Sequence, residues 1–295
     1  MALTSIKICP VCSSPKLNYF LTCQDYTATQ EKFILEKCSA CGLVLTSPQP
    51  SEESIGKYYL SDKYISHTGG GKNLFDIIYL YARRVALKWK RRIVEKSSIE
   101  KTILDFGCGT GEFLEEMKTH GWATAGVEPS SIASASAKKK SARIYQSLAE
   151  IHQQAFDAIT LWHVLEHVHD LNGTLKKLRE LLKKNGTIFI AVPNYESADA
   201  QSYQSHWAAY DVPRHLWHFS KNNMKQLLES NGFRLVEILP MKMDSFYVSL
   251  LSETYRYPKH SNFVNLIKAF FMGLSSNRKA KKQTNFSSLI YIAKK

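Results

Sequence analysis

The 295-residue chain has no run of about 18 apolar residues, so no transmembrane helix is expected. Residues 1–10 lack a long apolar core, which argues against a signal peptide. Neither an internal repeat nor a low-complexity segment is present, so solenoids and disordered tracts are set aside. Acidic residues are missing from the end: Tyr255 to Lys295 holds nine Lys/Arg and no Asp or Glu. Much of the formal net charge of +13 gathers there. Such an end suits an anionic partner, whether nucleic acid, a nucleotide-linked substrate or a membrane surface, or is simply a solvated basic face. What remains is ordinary for a globular chain of one or two domains, with 44% hydrophobic and 22% charged residues.

The chain has six cysteines, and four stand in pairs. Cys9-Pro-Val-Cys12 and Cys38-Ser-Ala-Cys41-Gly42 are separated by 25 residues. Two such knuckles supply four thiolates, which suits a closed, structural zinc site with no open position for catalysis. Leu17-Asn-Tyr-Phe-Leu21 and Lys32-Phe-Ile-Leu-Glu36 between them read as short strands, giving a zinc ribbon over residues 1–50. Cys23 has no partner at knuckle spacing and reads as a buried or free thiol. Paired cysteines without a secretion signal point to a reducing cytoplasm.

Residues 51–100 read as a linker and a basic amphipathic helix. The stretch 46–72, with Pro48, Pro50, Tyr64 and Gly69-Gly-Gly71, is loop-rich. From 73 to 96 apolar residues recur at helical spacing, with Arg83, Arg84, Lys88, Lys90, Arg91 and Arg92 on the other face. Beyond residue 101 the pattern alternates. Strands are predicted at 102–106, 122–127, 142–146, 156–161, 187–192 and 233–239, and helices at 111–120, 130–140, 171–184 and 221–231. This alternation argues a Rossmann-like, doubly wound α/β sheet. Asn185-Gly186 and Asn231-Gly232 are placed at helix C-caps. Ser287-Ser-Leu-Ile-Tyr-Ile-Ala293 reads as a last strand, antiparallel beside 233–239, after a helical insertion at 242–285 on the substrate side.

The organising stretch is Leu104-Asp-Phe-Gly-Cys-Gly-Thr-Gly-Glu-Phe-Leu114, a strand, a glycine turn and a helix start. Gly107, Gly109 and Gly111 let backbone approach a ligand closely. Their spacing is not the dinucleotide G-x-G-x-x-G, and no Lys-Ser/Thr follows to hold phosphate, which argues against an NTPase. Glu128, 17 residues after Gly111, ends the next strand and suits both hydroxyls of a ribose.

These residues resemble motif I of class I S-adenosylmethionine-dependent methyltransferases. Val127-Glu-Pro-Ser130, the segment Phe156 to Val168 and Gly186-Thr-Ile-Phe-Ile-Ala-Val-Pro-Asn194 are similar to the family's second, fourth and fifth strand segments. The knuckles and Asp211-Val-Pro-Arg-His-Leu-Trp-His-Phe-Ser220 resemble a bacterial subgroup with an N-terminal zinc-binding domain, like the sugar C-methyltransferases. The resemblance implies that Asp105, Gly107, Gly109, Gly111 and Glu128 hold S-adenosylmethionine, with Ser147 and Leu148 flanking its adenine. Ser147 stands where many relatives have Asp. Trp162 and His163 would line the methyl-transfer site.

The segment 194–220 is long for a strand–helix connection and reads as a lid in a methyltransferase domain spanning 101–295. Tyr210, Arg214, Trp217 and His218 on it are candidate substrate contacts, with Trp207 and Trp217 alternatively core anchors. His163, His167, Asp211 and His215 are the candidate bases, an imidazole being suited to proton transfer near neutral pH. His163, His167 and His169 are weighed as a metal site, but no matching carboxylate pattern accompanies them. The expected function is methyl transfer to a small or medium acceptor, such as a nucleotide-linked sugar or glycan precursor. An RNA methyltransferase is the alternative, on the ribbon and the charge. A non-catalytic cofactor-binding scaffold is the third reading.

Overall fold

The computed structural model describes residues 3–59, 74–96, 101–141, 143–152 and 154–295, without the side chains of 74–82. Tyr64 and the triple glycine 69–71 lie outside the described residues. The chain begins with β1 (Leu3–Thr4), β2 (Leu17–Gln24), β3 (Lys32–Cys38), β4 (Val44–Thr46) and β5 (Gln49–Pro50). Helix α1 (Leu74–Glu95) follows. Then come β6 (Thr102–Phe106), α2 (Glu112–Lys118), β7 (Ala123–Val127), α3 (Ser131–Lys140), β8 (Arg143–Tyr145), β9 (Phe156–Trp162), α4 (Leu171–Leu181) and β10 (Leu182–Pro193). The last part carries α5 (Ala198–Tyr203), β11 (Trp217–His218), α6 (Lys221–Ser230), β12 (Arg234–Pro240), α7 (Asp244–Arg256), α8 (Asn262–Gln283) and β13 (Ser288–Lys294).

Seven strands form one sheet in the order β12-β13-β10-β9-β6-β7-β8. β6, β7, β8, β9 and β10 are parallel, and β13 runs antiparallel between β10 and β12. The central strand β10 reads as an unbroken apolar run, Ile188 to Val192, because helices cover both faces. Strand order reverses between β6 and β9, the switch point at which a doubly wound sheet places its ligand crevice, beside Asp105 and Trp162 at the carboxyl ends of these strands. Helix α6 starts on Ser220, whose hydroxyl accepts from Asn223 N while the Asn223 side chain accepts from Ser220 N. Gly232 follows it with φ +77°, as a C-cap glycine should.

Asn185-Gly186 does not cap a helix. Helix α4 ends at Leu181, and both residues lie in β10, beside the register shift between Leu182 and Thr187. A Cβ on Gly186 would come within 3.0 Å of the Phe156 carbonyl, so glycine serves close strand packing there.

The N-terminal sheet has the order β11-β4-β3-β2. Its edge strand, β11, comes from the segment 194–220, pairing Trp217 with Leu45 and His218 with Val44. Thr46 N donates to Leu216 O, and the Tyr195 hydroxyl donates to Gly42 O at 2.6 Å. The cysteine module is therefore hydrogen-bonded into the body of the protein. The segment 194–220 is also not a loop laid over a cleft. It contains α5, two 3-10 turns and β11, and Tyr195, Tyr203, Trp207, Tyr210, Leu216 and Phe219 are buried in it. Tyr195, Tyr203, Trp207 and Tyr210 form a second core with Phe33, Leu35 and Val44 from the N-terminal sheet, while Trp217 and Phe219 join the main core.

Candidate active site

The glycine turn follows β6 directly. Gly107, Gly109 and Gly111 all have positive φ, at +75°, +53° and +79°. Each glycine answers a different demand. A Cβ on Gly107 would strike the Val164 side chain at 2.4 Å, and one on Gly111 would lie 2.9 Å from the Ala137 backbone. A Cβ on Gly109 would meet nothing within 4 Å, so that backbone faces open space that a ligand can approach. The half-buried Glu128 braces the turn: one carboxylate oxygen accepts from Gly109 N and the other from Ser130 N, both at 2.9 Å.

Asp105 is buried and accepts from the Thr160 hydroxyl at 2.6 Å. Burial pushes its carboxyl up to about 7, against the opposing pull of Thr160 and the Lys90 charge. Ser147 is exposed at the end of β8, and Leu148 opens a 3-10 turn there. Trp162 packs edge-on against Phe113 at 5.4 Å, and Lys90 from α1 stands 4.5 Å from the centroid of its ring system. The buried Trp162 N–H has no hydrogen-bond partner among the described residues. An open glycine, a braced carboxylate and an unspent indole N–H fit a nucleoside with polar substituents.

His163 follows Trp162 and adopts φ +59°, held by its amide donating to Ala191 O at 3.0 Å. Its Nε2 lies 3.0 Å from Asp244 Oδ2 and its Nδ1 3.3 Å from Glu166 Oε1. Burial works to lower the imidazole, but hydrogen bonds to Asp244 and Glu166 outweigh it and raise it to about 9. Glu166 is fully buried. Its second oxygen has no partner among the described residues, and both it and Asp244 are held as carboxylates by His163 despite burial.

On the far side of Glu166 stand His167 and His215. One ligand-type atom from each of the three lies within 4.8 Å of the others. His167 Nδ1 lies 3.0 Å from both Arg214 O and the Tyr59 hydroxyl. Burial, then the charge of His215, drops its pKa to about 4, so this ring is neutral at pH 7. His215 donates from Nδ1 to Ala209 O at 2.9 Å, and its Nε2 is 3.9 Å from Asp211. His169 points elsewhere, to Pro50 O at 2.9 Å, so it does not join His163 and His167.

Three of the four candidate bases, His163, His167 and His215, thus converge around Glu166, while Asp211 is paired with Arg214. The four candidate substrate contacts do not converge on the crevice. Arg214 is 1% exposed, with Asp211, Asp25, Thr27 and the Tyr58 carbonyl all taking its N–H groups. Trp217 is a core residue whose indole donates to Val168 O at 2.6 Å. His218 is buried against the Thr46 hydroxyl, and burial holds it neutral. Tyr210 packs edge-on against Trp207 and His218 inside the same cluster. In sequence, their polar or aromatic character suits a substrate contact. In the fold that chemistry joins two sheets.

Asp244 was missed, and nothing local could have found it, since 81 residues separate it from His163. Lys90 was read only as part of a basic helix face.

At the other end, the four sulfurs of Cys9, Cys12, Cys38 and Cys41 lie within 4.8 Å of one another. The Cys9–Cys41 and Cys12–Cys38 separations are 3.5 Å, far longer than the roughly 2.05 Å of a disulfide. Zinc–sulfur bonds of about 2.3 Å in a tetrahedron give sulfur–sulfur edges of about 3.8 Å, so the donor set fits that ion. Cys23 is free and buried.

A methyltransferase-domain family model matches residues 79–238, more than half of the chain. The chain belongs to the class I S-adenosylmethionine-dependent methyltransferase family. The ubiquinone biosynthesis O-methyltransferase of Pelagibacter ubique (strain HTCC1062) is 33% identical over 114 residues, covering 36% of this chain and 48% of that protein. The chain spans about half the length of the first curated relatives it matches. Among solved structures, magnesium protoporphyrin IX methyltransferase from Synechocystis PCC 6803, with bound S-adenosylhomocysteine, aligns over 83% of this chain and all of that one. Its TM-score is 0.52 at 12% identity. A methyltransferase from Archaeoglobus fulgidus aligns over 76% and 100%, with TM-score 0.50 and 22% identity. These two likenesses concern the fold alone.

Proposed function

We propose that the protein transfers a methyl group from S-adenosylmethionine to a small or medium acceptor, with His163 as the base. The observation that carries this is the Asp244–His163–Glu166 chain, one residue beyond β9, the strand paired with β6, which the glycine turn follows. Asp105, Gly107, Gly109, Gly111, Glu128, Ser147, Leu148 and Trp162 would hold the cofactor. When bound, it supplies a methyl already activated on a sulfonium. The chain's own work is alignment, exclusion of water and removal of the acceptor's proton. His163 takes that proton in the fraction of molecules where the ring is neutral. Asp244 and Glu166 then stabilise the imidazolium from both sides. His167, neutral and half-buried, and His215 back Glu166 from behind. Asp211 belongs to the Arg214 cluster and serves position, not proton transfer.

The acceptor atom is proposed as a hydroxyl oxygen, on the relatives' O-methylation, and the acceptor as a glycan precursor or another molecule of that size. Residues 1–50 form a structural zinc ribbon, 51–100 a linker and helix, and 101–295 the methyltransferase domain. Its segment 194–220 is the wall joining ribbon to sheet. A cytoplasmic setting suits the four thiolates.

Incubation with radiolabelled S-adenosylmethionine and separate polar, lipid and RNA fractions of a cell extract tests the reading. Label is expected in a small-molecule fraction, lowered about 10²–10⁴-fold by His163→Ala with cofactor affinity kept. Label only in RNA, or full transfer by His163→Ala, overturns it.

A further inference from the structure

Helix α8 is built inside out. Its inward face carries Asn265, Ala269, Gly273, Ser276 and Ala280, small or polar residues spaced one turn apart. That face is tightly seated on α7: a Cβ on Gly273 would come within 2.6 Å of the Phe246 ring, and Ser245 Oγ donates to Gly273 O at 3.4 Å. Ser276 donates to the buried Asp199 at 2.6 Å. The outward face carries Phe263, Leu266, Ile267, Phe270, Phe271 and Leu274, at intervals of three and four. Phe263 is 70% exposed, Phe271 64% and Phe270 52%. A helix that packs on a soluble domain ordinarily buries such a stripe.

The charge around this stripe has one sign. At 3.6 residues per turn, Lys268, Lys279 and Lys282 run along one flank, and Arg278 and Lys281 continue the apolar face into the last turns. All five are exposed, and no Asp or Glu occurs from Tyr255 to Lys295. No helix among the described residues is long and apolar enough to cross a membrane. Phenylalanines and leucines on one face with lysines on its border are the chemistry of a helix that lies in the headgroup layer of an anionic bilayer. An RNA backbone would use the lysines and leave the phenylalanines in water.

We propose that α8 docks the protein on an anionic membrane surface. α8 packs on α7, and α7 begins at Asp244, the partner of His163. Docking therefore sets the active site one helix layer from the lipid, and the acceptor is an amphiphile whose polar head reaches His163. This last step rests on the proposed methyl transfer. The docking does not.

Co-sedimentation of the full chain with vesicles of phosphatidylcholine alone, or with phosphatidylglycerol added, tests it without cofactor or acceptor. The protein is expected to pellet with the anionic vesicles and to be released by high salt. The double variant Phe270→Ser/Phe271→Ser and the variant Lys279→Glu/Lys282→Glu should each lower partitioning about tenfold or more. Phe270 also packs on the Phe246 ring, with centroids 5.7 Å apart, so thermal unfolding read in parallel separates any lost packing from lost docking. Absence of vesicle binding overturns the proposal. So does equal binding to both vesicle types, or a solution dimer that the phenylalanine variant abolishes. S-adenosylmethionine affinity, measured on the same samples, reports separately on the glycine turn.

Discussion

Replacing Arg214 with Met separates a structural role from a substrate contact. Its guanidinium donates to Asp211 at 2.9 and 2.5 Å, to Asp25 at 3.2 Å, to the Tyr58 carbonyl at 2.8 Å and to the Thr27 hydroxyl. Asp25 is 1% exposed. Removing one partner of a buried ion pair costs about 3–5 kcal/mol, because the other charge is left without compensation. Asp25 keeps hydrogen bonds from the amides of Thr27, Ala28 and Thr29, so the lower end, about 3 kcal/mol, applies. At roughly 2–4 °C per kcal/mol for a chain of this size class, Arg214→Met should lower the Tm by about 6–12 °C. Adding Asp25→Asn should recover part of the loss, since a neutral amide needs no cation. The acid limb should respond as well. Burial raises the Asp25 carboxyl, but the Thr29 amide and the Arg214 charge outweigh it and hold it below the ordinary value. Its stabilisation is present above the unfolded pKa and is lost as pH falls through the folded value. Arg214→Met should therefore flatten that acid loss. Thermal unfolding followed by near-ultraviolet circular dichroism reads both effects. A Tm within about 1 °C of wild type, together with a raised acceptor KM, would refute the structural assignment.

Two further outcomes follow from the same contacts. Since His163 is raised to about 9, kcat/KM should climb with pH until about that value. Asp244→Asn removes the largest raising contribution, so the limb should move to lower pH while the rate at pH 9 falls. A limb that does not move excludes His163–Asp244 as the base pair. The sign for stability is opposite: the His163 contribution is full below about 6.5 and fades as pH rises through about 9. Metal analysis of the purified chain should find one zinc per protein, and Cys12→Ser should lose it. Because β4 pairs with β11, that loss should also loosen the segment 194–220 and lower acceptor transfer more than cofactor affinity. Retention of transfer without zinc would contradict this.

The parallel part of the sheet was legible because β6, β7 and β10 combine apolar runs with glycine punctuation and β9 is itself an apolar run, signals written within a few neighbouring residues. The positions of the glycine turn and of Glu128 beyond β7 were legible for the same reason. What could not be read was partnership across long separations. Arg214 is 189 residues from Asp25, and His163 is 81 from Asp244. A polar or aromatic residue in a long connection has the composition of a binding loop until its partners are known. Trp217 and His218 turned out to be an edge strand of the N-terminal sheet. The short Gly186 stretch misled in a smaller way, since Asn-Gly is a helix-end signal that here serves close packing in a strand.

The glycine turn is most directly tested by calorimetric titration of S-adenosylmethionine into the wild type and Glu128→Ala. Glu128 is the carboxylate that braces Gly109 and is proposed to take the ribose hydroxyls. Wild type should bind with one site per chain, and Glu128→Ala should bind about 10–100-fold more weakly, the loss of charged hydrogen bonds being about 1.5–3 kcal/mol. Equal affinity for the two proteins, or no binding by wild type, would contradict the account.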